Sequence, residues 1–102
     1  DCAWSEALQG EPGEYIVVVR RAGDSFFLGA GTNDEPRTLT QKLGFLKSGM
    51  TYTATIYADA PDSAENPENY RIEKRTVTSA DMLEIAMTAR GGQAVTFVPV
   101  NE

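Results

Sequence analysis

Fifteen carboxylates and no histidine bound the chemistry open to this chain of 102 residues. The densest acidic group is Asp59, Asp62, Glu65 and Glu68, which with Asn66 and loop carbonyls could converge on a calcium ion. Their spacing is not that of an EF-hand. Loops carry few large apolar groups for entropic and solvation reasons, so a solvated acidic loop is the favoured reading and no metal is expected. Two carboxylates at a suitable separation could also act on a glycosidic bond, one protonated and one ionised. With 15 acids such pairs arise by chance, and no feature marks a closed pocket that would raise one pKa. The missing histidine excludes Ser-His-Asp and Cys-His catalysis, His-ligated zinc and an imidazole proton shuttle. The domain alone is therefore expected to be non-catalytic and free of cofactors.

The aromatic residues offer a second kind of site. Trp4, Tyr57 and Tyr70, with Phe27, could form a flat platform on which sugar rings stack, although aromatic side chains in strands more often fill a core. Gly29-Ala30-Gly31 and Gly91-Gly92 precede no convincing helix, so close packing and a turn explain them better than a phosphate loop. The net charge of −6 repels nucleic acid and anionic lipid, and the cations are dispersed in pairs such as Arg20-Arg21 and Lys74-Arg75. Neither partner is expected. No apolar run reaches the ~18 residues of a membrane-spanning helix. The start at Asp1-Cys2-Ala3-Trp4 has neither an initiator Met nor a signal-peptide pattern, and the lone Cys2 cannot close an internal disulfide.

These residues must be positioned by strands, because the hydrophobic period is close to two along most of the chain. Tyr15 to Arg21 and Phe26 to Thr32 flank the turn chemistry of Ala22-Gly23-Asp24-Ser25 and predict a hairpin. Arg37 to Leu43 predicts a third strand. Tyr52, Ala54, Ile56 and Ala58 alternate with Thr51, Thr53, Thr55 and Tyr57, which puts Tyr57 on the wetter face. Asp59 to Asn69 reads as a loop, and Tyr70 to Val77 as a strand. Ser79 to Arg90 fits a capped helix through Met82, Ile85, Ala86 and Ala89, or a strand through Leu83, Ile85 and Met87. The favoured reading is a strand that pairs through a hairpin turn at Arg90-Gly91-Gly92-Gln93 with Ala94 to Val98. Seven to eight short strands at roughly ten-residue intervals predict one all-β domain, an antiparallel β-sandwich.

In that sandwich Tyr15, Val17, Phe26, Leu28 and Ile56 fill one sheet face. Ile16, Val18 and Phe27 form a second apolar patch that requires a partner surface.

The order and spacing of several blocks resemble the C-terminal domain of glycoside hydrolase family 97. The blocks are Trp4-Ser5-Glu6, Gly13 to Arg21, Gly23 to Ala30, Pro36-Arg37, Leu43 to Leu46, Gly49, Tyr52 to Asp59, Asn66-Pro67, Tyr70 to Ile72, Leu83 to Met87 and Gly91 to Val95. The resemblance implies a β-sandwich that follows a catalytic barrel, packs on it and is associated with oligomerisation. It also implies that the catalytic carboxylates and any calcium belong to earlier domains, since none of those residues maps here. It further implies a bacterial α-glucosidase or α-galactosidase as parent and a periplasmic or secreted location. Residues 1–12 would then be linker-like. The alternative is a carbohydrate-binding module that uses exposed aromatics.

Overall fold

A computed structural model describes residues 4–59 and 70–100, with the side chains of Asp59 and Tyr70 outside that description. Eight strands follow in order: β1 (Trp4–Glu11), β2 (Tyr15–Ala22), β3 (Ser25–Thr32), β4 (Arg37–Lys42), β5 (Tyr52–Asp59), β6 (Tyr70–Val77), β7 (Met82–Met87) and β8 (Gly92–Pro99). They form a six-stranded sheet, ordered β1-β2-β3-β8-β5-β6, and a two-stranded sheet of β4 and β7. All pairings are antiparallel. The expected all-β sandwich is thus the observed architecture, and Ser79 to Arg90 contains a strand rather than a helix.

Alternation decides which side chains meet between the sheets. Val17, Val19, Phe26, Leu28, Ala54, Ile56, Val95 and Phe97 project from the large sheet, and Leu83, Ile85 and Met87 close over them from β7. The β4–β5 connection adds Leu43 and Leu46, both buried, and Phe45. Phe45 stands edge-on to Phe97 at 5.5 Å and tilted against Phe26 at 5.6 Å. Tyr52 completes the cluster beside Phe26, and its buried hydroxyl accepts a hydrogen bond from the Lys47 amide at 3.1 Å. Such edge-to-face arrangements set the positive ring edge against a neighbouring negative face.

The β2–β3 hairpin forms as its sequence predicts. Ala22 pairs with Ser25, leaving a two-residue loop in which Gly23 adopts φ 63°, as the primed hairpin turns require.

Two expectations are corrected. Residues 4–11 are not linker: they form β1, an edge strand paired with β2. A register shift between Ala7 and Gln9 breaks the alternation there, which hides the strand from a period-two reading. Second, β7 and β8 do not pair as a hairpin. β7 lies beside β4, whereas β8 sits between β3 and β5 in the other sheet, so the turn at Thr88 to Gly91 carries the chain across the core. Burial explains this outcome. Leu83, Ile85 and Met87 can cover Val95 and Phe97 only from the opposite layer.

One end of the sandwich is tied together by Asn33. Its main chain accepts from the Arg90 amide at 2.6 Å and donates to the Glu14 carbonyl at 2.8 Å. Its side-chain amide donates to the Gly13 carbonyl at 3.1 Å, while Oδ1 accepts from the Glu35 amide at 3.0 Å and Arg37 Nη2 at 3.1 Å. Three connections, β1–β2, β3–β4 and β7–β8, are joined through this one residue. Asn33→Ala removes three side-chain hydrogen bonds and is expected to cost about 2 kcal/mol. Urea unfolding of the isolated chain checks this, and a loss below about 0.5 kcal/mol would show the side chain to be dispensable.

Candidate interaction surface

The outward face of the six-stranded sheet has no second layer over it among the described residues. Its composition follows from the same alternation that builds the core. Residues next to core positions face out, and cross-strand register assembles them into rows. One row, Ala7, Val18, Gly29, Ala94, Tyr57 and Ile72, runs through all six strands and carries no charge. The adjacent row is Ser5, Arg20, Phe27, Thr96, Thr55 and Lys74. Ile16 lies beyond the first row and Val98 beyond the second.

Ile16, Val18, Tyr57, Ile72 and Val98 are the exposed large apolar side chains of this sheet face, with Ile72 at 56% and Ile16 at 50%. A contiguous apolar surface in a soluble domain marks a contact site more often than isolated exposed residues do. Ile16, Val18 and Phe27, the patch expected from the sequence, share this face. Phe27 is partly covered because the Arg20 guanidinium stacks 4.5 Å from its ring centroid. A shallow depression of about 340 Å³ lies beside it, floored by Gly29 and Ala94 and bordered by Val18, Phe27 and Thr96.

The expected aromatic platform is not assembled. Trp4 points to the inner side and meets Phe26 edge-on at 6.4 Å, whereas Tyr57 points outward, so the two rings lie on opposite sides of the sheet. Tyr70 opens β6, and its side chain lies outside the described residues, as do Cys2 and the acidic loop residues Asp62, Glu65 and Glu68, for which no metal is expected. Among the described residues no three metal-ligating side chains cluster.

Glu73, on the inward side of edge strand β6, is held below the usual carboxylate range. The chief causes are the hydrogen bond from Arg75, with Nε at 3.1 Å, and the charge of that guanidinium, with Arg71 adding to them. A lowered folded-state pKa adds stability above the unfolded pKa that fades as pH falls through the folded one. Glu73→Gln is therefore expected to flatten the acid limb of melting temperature against pH slightly, leaving it unchanged near neutrality apart from a constant offset. An unchanged acid limb would show the pair to be energetically silent.

The register also sets Tyr57 and Ile72 in the row of Val18, with Val98 two residues along β8 from the Thr96 that pairs with Phe27; none of the three is joined to Ile16 and Val18 by the sequence alone. The individual strand patterns carried the signal, but the partner strands β8 and β5 are distant in sequence from β2 and β3.

Comparison with known proteins accounts for the architecture. Residues 1–98 match the family model described as glycosyl-hydrolase 97 C-terminal, oligomerisation. A retaining alpha-galactosidase of Bacteroides thetaiotaomicron is 30% identical over 94 residues, a match spanning 90% of this chain and 14% of that protein. A glycoside hydrolase family 97 enzyme from Pseudoalteromonas sp. strain K8, solved in complex with panose and with acarbose, superposes with a TM-score of 0.93 at 35% identity. That match covers 99% of this chain and 17% of the enzyme. A beta-arabinopyranosidase shares the fold at a TM-score of 0.71 and 22% identity, covering 90% of this chain and 14% of that one. The chain thus spans only about a sixth or less of the relatives it resembles, and it belongs to the C-terminal, oligomerisation domain family of glycoside hydrolase family 97.

Proposed function

We propose that the chain is a non-catalytic accessory module of a longer glycoside hydrolase. The outward face of its six-stranded sheet holds it against the catalytic barrel or a neighbouring subunit. The observation that carries this reading is the uncharged row from Ala7 to Ile72, which no described residue covers across six strands of a chain with net charge −6. Leaving such surface in water costs roughly 25 cal/mol per Å², so covering it supplies a driving force for association.

The family membership and the small share of each relative that the chain spans support the accessory role. The catalytic carboxylates, any calcium and the acceptance of an α-glucoside or α-galactoside fall to the remainder of the polypeptide. A periplasmic or secreted location accompanies that parent.

The test mixes the 102-residue chain with the parent hydrolase lacking it and follows sedimentation at micromolar concentration. Co-sedimentation is expected, with no turnover of an aryl α-glycoside by the chain alone. Independent sedimentation, or turnover by the chain, would overturn the proposal.

A further inference from the structure

The two ends of the sandwich differ. Asn33 ties one together, whereas the other, where β1, β3 and β5 begin and β2 ends, keeps aromatic side chains partly open to solvent. Trp4 pairs with Arg21, which pairs in turn with Phe26, so one row of the inner sheet side places an arginine between two aromatic residues. The β4–β5 connection brings Phe45 against Phe26 at 5.6 Å. Two depressions, of about 540 Å³ and 500 Å³, open here and share Arg21, Phe26 and Phe45. Trp4, Glu6 and Leu8 line the first, and Asp24, Lys47 and Tyr52 line the second. Both have the size of small-molecule sites, roughly 300–1,000 Å³.

The rings supply apolar surface. Trp4 and Phe26 stand 82° apart with centroids at 6.4 Å, a perpendicular contact in which one ring offers its edge to the other's face. Whichever ring gives the edge, at least one face of the indole is left uncovered by Phe26. Trp4 and Phe45 are half-buried, and both border the first depression.

Charge selects the ligand. Arg21 and Lys47 border the depressions together with Glu6 and Asp24, two cations with two carboxylates. Among the described residues none of these four side chains forms an ion pair or a hydrogen bond. A balanced set gives no net pull on an anion or a cation. It does supply donors from Arg21 and Lys47 and acceptors from Glu6 and Asp24. A sugar hydroxyl uses both kinds at once, because it donates one hydrogen bond and accepts others. The guanidinium fork suits a pair of neighbouring oxygens, and the C–H face of a sugar ring packs on an aromatic face.

We propose that this end of the sandwich binds a neutral oligosaccharide, with sugar rings against Trp4 and Phe45 and hydroxyls bonded to Arg21, Glu6, Asp24 and Lys47. Because Arg21 borders both depressions, an oligomer fills the two and a monosaccharide only one. The site is not the platform of Trp4, Tyr57 and Tyr70, since it joins Trp4 to Phe45 on the inner side of the sheet. It is separate from the outward face, so it stands or falls independently of the contact proposed above.

Trp4 is the only tryptophan of the chain, and its emission therefore reads the site directly. Maltopentaose, cellopentaose and glucose serve as neutral probes, and a galacturonic acid pentamer as an anionic one, each titrated into the 102-residue chain. At least one neutral pentamer is expected to shift the emission saturably, to bind at least ten-fold more tightly than glucose, and to keep its affinity from low to high salt. In amide NMR spectra the signals of Arg21, Phe45 and Lys47 should move, and those of Val18 and Tyr57 should not. Trp4→Ala and Arg21→Met should each weaken binding about ten-fold by calorimetry. The spectra of the unsubstituted chain decide the matter even where a variant fails to fold.

No response to either neutral pentamer at millimolar concentration, or shifts confined to the outward face, would overturn the inference. Tighter, salt-sensitive binding of the galacturonic acid pentamer would overturn the neutral class of ligand. In the full-length polypeptide Trp4→Ala should remove one class of pentamer sites from the titration, and an unchanged titration there would overturn the site by showing this end to be covered by another part of the protein.

Discussion

Phe97→Ala is expected to destabilise the isolated domain by about 3–5 kcal/mol, as removing a buried aromatic side chain does where the neighbours cannot collapse into the space. Phe97 is wholly buried on β8, and its strand is fixed between Phe26 of β3 and Ala54 of β5. Its ring meets Phe45 at 79°, so truncation removes an edge-to-face contact as well as buried area. Both neighbouring strands are held by backbone ladders, and β7 closes the opposite side. Collapse is therefore limited. Domains of this size retain roughly 5–15 kcal/mol in total, which would leave the variant marginal at 25 °C. Thr96→Ala, one residue away on the outward face, is the matched control and should change stability by less than about 0.5 kcal/mol. Chemical denaturation of both variants decides the matter. A loss below about 1 kcal/mol for Phe97→Ala would mean that the two sheets do not depend on this ring.

The contrast between Phe97 and Thr96 also shows what the sequence could reveal. Period-two alternation assigns each side chain to a face, and it did so for β2, β3 and β5, where Val17, Phe26 and Ile56 are buried as expected. It does not name the partner strand. The turn at Arg90-Gly91-Gly92 has the chemistry of a hairpin, yet it carries the chain from one sheet to the other, with Arg90 at φ 59°. Turn residues specify local backbone geometry, whereas the choice between pairing and crossing rests on which layer needs cover. The cover needed over Val95 and Phe97 is a property of the whole core.

β1 escaped for a different reason. Its bulge between Ala7 and Gln9 interrupts alternation, and Gln9 uses its side chain to donate to Gln41 Oε1 at 2.9 Å and the Thr40 carbonyl at 3.1 Å. These polar contacts replace the apolar signal by which a strand is recognised. Asn33 did carry a readable mark. Its Oδ1 accepts from the amide two residues ahead, the local turn that asparagine favours, although the long-range bonds to Gly13 and Arg90 required the fold to bring three connections together. The interaction surface was half legible. Ile16, Val18 and Phe27 stand near one another in sequence, whereas Tyr57, Ile72 and Val98 join them only through cross-strand register.

That assembled surface yields the second large effect. Val18→Asp with Tyr57→Ala is expected to leave the isolated domain within about 1 kcal/mol of its original stability, since both side chains are already exposed there. In the full-length polypeptide the same pair should weaken the contact proposed above at least 100-fold. Tyrosine is among the residues that dominate interface energetics, and an aspartate placed in a desolvated contact without a partner carries a penalty of several kcal/mol. The two cations of the face offset only part of it. Arg20, two residues along β2, would have to leave its stack on the Phe27 ring to pair with the new aspartate, and Lys74 stands on β6, four strands from Val18. Interdomain melting by calorimetry and subunit sedimentation together read the outcome. Loss of both the isolated fold and the contact would assign these residues to folding, whereas loss of the contact alone assigns them to the interface. Ser48→Asp, exposed in the β4–β5 connection, adds the same charge away from this face and should leave the contact intact. Equal weakening by Ser48→Asp would trace the effect to net charge rather than to the apolar row.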